Sequence, residues 1–128
     1  MKCLKKHKAK IFLTGLFFVA AVLLLLAGSA SADQVDVKWD GGGGTNFWNN
    51  ANNWDPNVIP NNNANTYNVF IGGSSLPDYT VYVTTGPTID NLTIDTADSL
   101  TINNGGGINL ESGASAGTIT NNGTILIN

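Results

Sequence analysis

The apolar residues after Ala32 recur in short pairs two positions apart, separated by residues that favour turns. These pairs are Val69/Ile71, Val81/Val83, Leu92/Ile94, Leu100/Ile102, Ile108/Leu110 and Ile125/Ile127. Alternation with a period of two is typical of a β-strand with one buried face, and no stretch after Ala32 sustains the period of a helix. The pattern therefore predicts an all-β fold made of short strands.

Turn-forming residues fill the space between these pairs. The chain from Asp33 to its last residue contains 18 Asn, 13 Gly and 12 Thr. Asn and Gly tolerate positive φ, and the Asn side chain hydrogen-bonds to nearby backbone, so this composition favours many tight turns. Asn103-Asn104 and Asn121-Asn122 are expected at corresponding points between strands, where Asn can adopt a left-handed backbone conformation and form side-chain ladders with adjacent coils.

A longer repeat is superimposed on the period of two. The distance along the chain from Val69 to Ile94 recurs from Ile94 to Ile119, from Val83 to Ile108, from Leu100 to Ile125 and from Ile102 to Ile127. Repeats of about 20 to 50 residues are typical of solenoids, in which each coil buries its apolar face against its neighbours. We predict a right-handed parallel β-helix over residues 67–128, with Val69, Ile94 and Ile119 in register on successive coils. A β-sandwich, which requires no repeat distance, is the alternative.

Residues 1–32 differ from the rest of the chain and have the form of a secretory signal peptide. A lysine-rich stretch precedes an apolar run over residues 11–27 and the small residues 28–32. Ala30 and Ala32 match an A-x-A cleavage site, which predicts a mature chain that begins at Asp33. The many lysines are typical of a bacterial leader, and Sec-type export to the cell surface or the medium is expected. An uncleaved N-terminal anchor is the alternative.

The mature chain lacks most of the side chains that enzymes use. From Asp33 onward it has one Lys (Lys38), nine acidic residues, and no Arg, His or Cys. A Ser-His-Asp or Cys-His triad, a zinc site built from His or Cys, and a basic surface for nucleic acid are excluded. Without a disulfide, stability must come from packing and hydrogen bonds. We therefore expect a protein that is not an enzyme.

Carboxylates leave two further kinds of site open. The candidates for acid catalysis are Asp78, Asp90, Asp95, Asp98 and Glu111. Aspartates beside strands usually bond to local backbone, and we predict no catalytic residue. Asp95 and Asp98 place two carboxylates in one turn, which suits a hard cation and predicts at most a weak Ca²⁺ site. Simple solvated acids are the alternative there, and no other cofactor is expected.

The aromatic segment, residues 39–60, contains three Trp, one Phe and four consecutive Gly. Trp side chains bury large apolar areas, so Trp39, Trp48 and Trp54 are expected to cover the open end of the first coil. We accordingly place an N-terminal cap at residues 33–66. The alternative is that Trp48 and Trp54 expose their rings for stacking on carbohydrate, with neighbouring Asn amides as hydrogen-bonding groups.

Residues 37–128 resemble the mature N-terminus of large secreted bacterial β-helix proteins. The motifs that carry the resemblance are Trp39-Asp40-Gly41-Gly42-Gly43-Gly44, Phe47-Trp48, Ala51-Asn52-Asn53-Trp54, Pro60, Val69-Phe70-Ile71, Leu92-Thr93-Ile94 and Thr118-Ile119-Thr120-Asn121-Asn122-Gly123. The similar families are autotransporter-associated β-strand-repeat proteins and exported proteins with a PEP-CTERM sorting tail. The resemblance covers residues 37–128 and implies a surface or secreted scaffold, often adhesive, without family-wide catalytic residues. Members are far longer, so we expect a chain truncated at its C-terminus.

Together these features predict an exported, non-enzymatic structural or adhesive segment of a surface protein. The alternatives are the N-terminal part of a polysaccharide-active enzyme and a small carbohydrate-binding module. The expected partners are surface polysaccharide or other cell-surface proteins, with no nucleic acid and no membrane span after cleavage. Because nothing comparable to the Trp cap covers Ile125 and Ile127, we also expect self-association through the C-terminal end.

Overall fold

The computed structural model describes residues 32–73, 77–111 and 116–128. The predicted leader therefore lies outside the described residues, apart from Ala32. The all-β class is confirmed, since the described residues are mostly strands and turns and their one helical element is a single 3₁₀ turn. Within the same ranges, no helix is long and apolar enough to cross a membrane.

Ten strands form three sheets in the described part of the chain. In chain order they are β1 (Asp33–Trp39), β2 (Trp54–Asp55), β3 (Asn65–Ile71), β4 (Thr80–Val83), β5 (Thr88–Ile89), β6 (Asn91–Ile94), β7 (Ser99–Ile102), β8 (Asn109–Leu110), β9 (Thr118–Asn121) and β10 (Thr124–Ile127), and the 3₁₀ turn is Ala51–Asn53. The first sheet has the order β2-β1-β3-β6-β9, the second β10-β7-β4 and the third β5-β8. From β3 to β10 the chain therefore enters the first, second and third sheets in rotation.

Strand pairing is parallel throughout the three sheets, except between β1 and β2. β1 pairs with β3 from Asp33 to Lys38, so the start of the predicted cap belongs to the first sheet. The boundary predicted between residues 66 and 67 falls inside β3. Parallel neighbours need long connections between them, which agrees with the rotation of the chain through three sheets.

The register of the first sheet differs from the predicted one. Val69 pairs with Leu92, and Leu92 pairs with Ile119, whereas Ile94 pairs with Ile71. The prediction that Val69, Ile94 and Ile119 align was therefore wrong at its middle residue. The step from β3 to β6 is shorter than the step from β6 to β9, and the even spacing of the three predicted residues had concealed this difference.

In the second sheet the predicted spacing holds between β7 and β10 but not between β4 and β7. Ile125 pairs with Leu100 and Ile127 with Ile102, as predicted. Val83 pairs with Ile102 instead of Ile108, so the step from β4 to β7 is shorter than the predicted one. The strands align although the connections between them differ in length, so the fold requires no constant sequence period.

Inward-facing side chains of the three sheets form the core. In β3, Val69 and Ile71 are buried, whereas Asn68 and Phe70 are half-buried on the other face, as alternation along a strand requires. The fully buried side chains are Trp39, Trp48, Trp54, Ile71, Ile89, Leu92, Ile94, Leu100, Val37, Val69, Val81 and Val83. Burial of each such Val, Leu or Ile contributes about 1.5–3 kcal/mol relative to an exposed position.

Candidate functional site

The three tryptophans of the aromatic segment form one buried cluster. The ring centroid of Trp54 lies 4.9 Å from that of Trp39 and 4.8 Å from that of Trp48, with interplanar angles of 88° and 70°. Edge-to-face contacts of this kind add about 0.5–1.5 kcal/mol per pair beyond the area that they bury. The predicted burial of these rings is confirmed, because all three are at most 1 % exposed.

Two of the indole N–H groups connect the cluster to the backbone of its own segment. Trp54 Nε1 donates to the carbonyl oxygen of Trp48 at 2.8 Å, and Trp48 Nε1 donates to that of Pro60 at 3.1 Å. Stacking of a sugar requires an exposed ring face, and neither Trp48 nor Trp54 has one in this structure. The carbohydrate site predicted at these two residues therefore has no accessible platform.

Asn53 fixes the turn that precedes the cluster. Its Nδ2 donates to Thr45 Oγ1 at 3.1 Å and to the carbonyl oxygen of Phe47 at 3.0 Å, while its Oδ1 accepts from the backbone N–H of Gly43 at 3.0 Å. The side chain is fully buried. Its amide is thus committed to holding the backbone of residues 43–47, and the sequence did not distinguish it from the neighbouring Asn residues.

The aromatic segment also runs beside the second sheet. The backbone N–H of Tyr82 donates to Asn46 at 2.7 Å, and the N–H of Trp48 donates to Tyr82 at 3.0 Å. A parallel bridge pairs Phe47 with Tyr82. Since Trp48 points into the core, Phe47 points outward, and its side chain is 46 % exposed.

A polar ladder crosses the outer face of the first sheet. Asn68 Nδ2 donates to Asp36 Oδ1 at 2.7 Å, and Asn91 Nδ2 donates to Asn68 Oδ1 at 2.8 Å. Asn91 Oδ1 accepts from the backbone N–H and the hydroxyl of Thr118, at 3.0 and 2.8 Å. Each bond joins adjacent strands at aligned positions, so the ladder favours this register over a shifted one.

The ladders predicted for the Asn pairs lie elsewhere. Asn128 Nδ2 approaches Asn103 Oδ1 at 3.4 Å, so Asn103 corresponds to Asn128 and not to Asn121. Asn121 belongs to β9, where it aligns with Ile94. None of these Asn residues adopts a left-handed conformation, because Ala97 is the one residue other than glycine with positive φ in the described ranges.

Asp90 is a buried carboxylate whose two oxygens are both engaged. Its Oδ1 accepts from Asn62 Nδ2 at 2.8 Å and its Oδ2 from Gln34 Nε2 at 3.1 Å. The backbone N–H of Asp90 donates to Tyr67 at 2.8 Å. These contacts join β1, the segment before β3 and the turn before β6, and they give Asp90 a structural role.

Asp98 and Asp95, the predicted cation ligands, lie in one turn between β6 and β7. Asp98 is 4 % exposed, and its Oδ1 accepts from the backbone N–H of Tyr79 at 2.7 Å. Asp95 Oδ1 accepts from the N–H of Thr96 at 2.8 Å. No group of three or more His, Cys, Asp or Glu suited to a metal occurs among the residues whose structure is described. The weak Ca²⁺ site stays a prediction from the sequence.

The burial of Asp98 affects its protonation. Desolvation raises the pKa of this carboxyl above its ordinary value, and the charges of Asp78 and Asp95 raise it further, whereas the hydrogen bond from Tyr79 lowers it. Gly72, with φ of +98°, allows the close approach, because a Cβ built there would overlap Asp98 Oδ2. Asp98 is thus a carboxyl group whose charged form is disfavoured at its position in the fold.

Comparison with known proteins gave no match to a protein-family model, to a curated protein or to a solved structure. The functional proposals below therefore rest on the residues of this chain alone.

Proposed function

We propose that the three sheets are the faces of one right-handed parallel β-helix, and that it serves as an exported, non-enzymatic structural or adhesive segment. The observation that carries the proposal is the rotation of the chain through three sheets whose strands pair in parallel. A β-sandwich is instead built from antiparallel strands. Aligned apolar rows such as Val69, Leu92 and Ile119 support stacking of coil on coil.

Export is supported by the position at which the folded unit begins. Ala32–Asn128 form one compact unit, and β1 begins at Asp33, the first residue of the predicted mature chain. Cleavage after Ala32 would therefore leave every described strand intact.

A non-enzymatic role is supported by what the buried acids contact. Asp90 and Asp98 are the buried carboxylates among the described residues, and both accept hydrogen bonds that hold turns in place. A glycosidase needs two carboxyl groups that face each other across a cleft and remain free to transfer protons. Asp90, with both oxygens occupied by amide donors, does not meet that need.

Expression of the full chain in a bacterial host tests the export proposal. Surface or medium fractions should yield a product whose N-terminal residue is Asp33, and protease added to intact cells should remove it from the surface fraction. Ala32→Arg, which blocks an A-x-A site, should leave the uncleaved chain in the membrane fraction. A wild-type product that keeps Met1 and stays inside protease-treated cells would contradict the proposal.

Incubation of the purified product with polysaccharides tests the proposed non-enzymatic role. No new reducing ends should form from neutral or anionic polymers. Release of reducing ends that disappears in Asp98→Asn or Glu111→Gln would identify a glycosidase and overturn the non-enzymatic role.

A further inference from the structure

Phe47 and Tyr82 form an aromatic pair on the outer face of the second sheet. Their ring centroids are 6.1 Å apart and their planes are inclined at 48°. Val81 and Val83 on either side of Tyr82 are fully buried, so Tyr82 points away from the core. An aromatic ring left about half-exposed gains little from the core of its own fold, and an exposed ring of this kind is a common feature of binding surfaces.

The backbone beneath Phe47 is held from two sides. Its carbonyl oxygen accepts from Asn53 Nδ2 at 3.0 Å and from the backbone N–H of Asn50 at 3.2 Å. The hydrogen bonds of Asn46 and Trp48 with Tyr82 fix the same segment against β4. The pair is therefore organised before any ligand arrives, which lowers the entropic cost of binding.

Hydroxyl groups lie beside the aromatic pair on the same face. Thr80 is two residues before Tyr82, and its Oγ1 accepts from Ser99 Oγ at 2.9 Å. Thr101, which is buried, and the half-exposed Leu126 align with Tyr82 across β7 and β10. The hydroxyl groups that a ligand could reach on this face are therefore those of the half-buried Thr80 and Ser99. The face thus presents the half-exposed ring of Phe47 and the half-buried ring of Tyr82 next to groups that donate and accept hydrogen bonds, which is the combination that a sugar requires.

Charge separates the classes of polymer that this face would accept. The chain from Asp33 onward has nine acidic residues and one Lys, whereas residues 46–48 and strands β4, β7 and β10 contain no Asp, Glu, Lys or Arg. Nucleic acids and anionic polysaccharides are repelled by the acidic chain. A cationic protein would be drawn to the carboxylates and not to this uncharged face. A neutral polymer is compatible with both the acidic chain and this uncharged face.

We propose that Phe47 and Tyr82 are the stacking platform of a binding site for a neutral polysaccharide. The faces of aromatic rings are electron-rich, and the C–H groups of a pyranose ring pack against them. This inference rests on the proposed adhesive role, for which it names the ligand class and a site other than Trp48 and Trp54.

Native electrophoresis of the purified chain through gels that contain polysaccharide tests the site. The probes are soluble β-1,4-glucan, β-1,3-glucan and β-1,4-mannan as neutral polymers, and polygalacturonate as the anionic one. At least one neutral polymer should retard the protein, and polygalacturonate should not. Phe47→Ala and Tyr82→Ala should each weaken the affinity by about tenfold or more.

Matched variants separate stacking from general hydrophobic contact. Phe47→Tyr should keep binding and Phe47→Leu should lose it, because leucine has no ring face. Phe70→Ala removes an aromatic side chain from the outer face of the first sheet, and it should bind as the wild type does. A thermal midpoint close to that of the wild type shows that each variant is folded, as expected for a side chain as exposed as Phe47.

Two results would overturn the inference: no retardation by any of the three neutral polymers, or equal losses in Phe47→Ala and Phe70→Ala. The assay uses purified protein and is independent of cellular location. A chain that is displayed on cells but binds no neutral polymer would therefore defeat this inference and leave the export proposal standing.

Discussion

Asn91 donates a hydrogen bond of 2.8 Å to Asn68 directly across the β3–β6 pair. The same Asn91 side chain accepts from Thr118 on β9, so one amide joins three successive strands of the first sheet. Alternation of apolar residues fixes which face of a strand is buried but permits register shifts of two residues. The amide bonds discriminate between those registers, because a shifted strand would leave them unmade.

Removal of the Asn91 side chain should therefore destabilise the fold more than its partly exposed position suggests. We expect Asn91→Ala to lower the free energy of unfolding by about 1–3 kcal/mol, since it breaks bonds to both neighbouring strands. Asn104→Ala, at an exposed turn, is the control and should change stability by less than about 0.5 kcal/mol. Urea denaturation followed by circular dichroism measures both. Equal losses of stability in the two variants would show that the Asn91 hydrogen bonds do not hold the register of the first sheet.

The Trp cluster predicts a much larger loss. Trp54→Ala should lower the free energy of unfolding by about 3–5 kcal/mol, because it empties the centre of a packed cluster. Trp54→Phe keeps a ring there but removes the hydrogen bond to Trp48, so its loss should be clearly smaller. Circular dichroism is the appropriate probe, since the substitution removes a fluorophore. A loss below about 1 kcal/mol for Trp54→Ala would show that the cluster is not part of the stable core.

Asp98 predicts a pH dependence of stability. Its pKa in the folded chain lies above the ordinary 3.8, so the unfolded chain releases this proton at lower pH than the folded chain. Asp98 therefore subtracts stability as pH rises from 3.8 to its raised folded value, and the loss persists above that value. Asp98→Asn keeps an acceptor for Tyr79 and removes the titration.

Denaturation midpoints of the wild type and Asp98→Asn, compared from pH 3.5 to pH 7, test this dependence. The variant should gain stability relative to the wild type as pH rises across the window. Asp55→Asn, at an exposed position in β2, is the control for the loss of one negative charge. A difference between Asp98→Asn and the wild type that is constant with pH would contradict the assignment.

Gly123 predicts a steric requirement at the turn between β9 and β10. A Cβ built there would overlap the carbonyl oxygen of Asp98 and lie 2.5 Å from that of Asp95. Both oxygens belong to the backbone of the turn between β6 and β7 and cannot rotate away. Gly123→Ala should therefore destabilise the chain by more than about 1 kcal/mol. Gly86→Ala, where nothing lies within 4 Å of the added atom, is the control. Similar midpoints for the two variants would indicate that the turns are not in contact.

Self-association is expected through the outermost strands of the described chain. Ile127 of β10 is 74 % exposed, and Ile119 and Leu126 are about half-exposed beside unpaired strand edges. The apparent mass in sedimentation should rise with concentration, and Ile127→Lys should suppress the rise, because a charge on an edge strand opposes strand pairing. Ile59→Lys, at an exposed apolar position away from these strands, should not. A monomer at every concentration would contradict the expectation.

The sequence predicts β3, β4, β6, β7, β8 and β10 because their signal is local, whereas β1, β2, β5 and β9 contain none of the predicted apolar pairs. The spacing of Val81 and Val83, for example, is enough to predict that Tyr82 faces away from the core. Burial of the three tryptophans also follows from local chemistry, since a chain poor in large aliphatic residues around them has few other means of building a core there.

Register and individual polar roles were not predictable in the same way. Leu92 and Ile94 are both apolar and two residues apart, so either could align with Val69. Which of them does so depends on the length of the connection between β3 and β6. Asn53 is one of 18 Asn residues after Ala32, and nothing local marks it as the one that is buried. Phe47 had a usable signal, because the strand-like alternation with Trp48 implies that only one of the two rings can face inward.

Strands that align side by side are separated along the chain by unequal steps. The sequence separation of aligned residues is 19 for Thr80 and Ser99 but 27 for Asn91 and Thr118. Connections of different lengths therefore bring their strands to aligned positions. Peptides grafted into an exposed connection such as the one that contains Gly86, where nothing lies within 4 Å of an added Cβ, should therefore be displayed without disturbing the strands on either side.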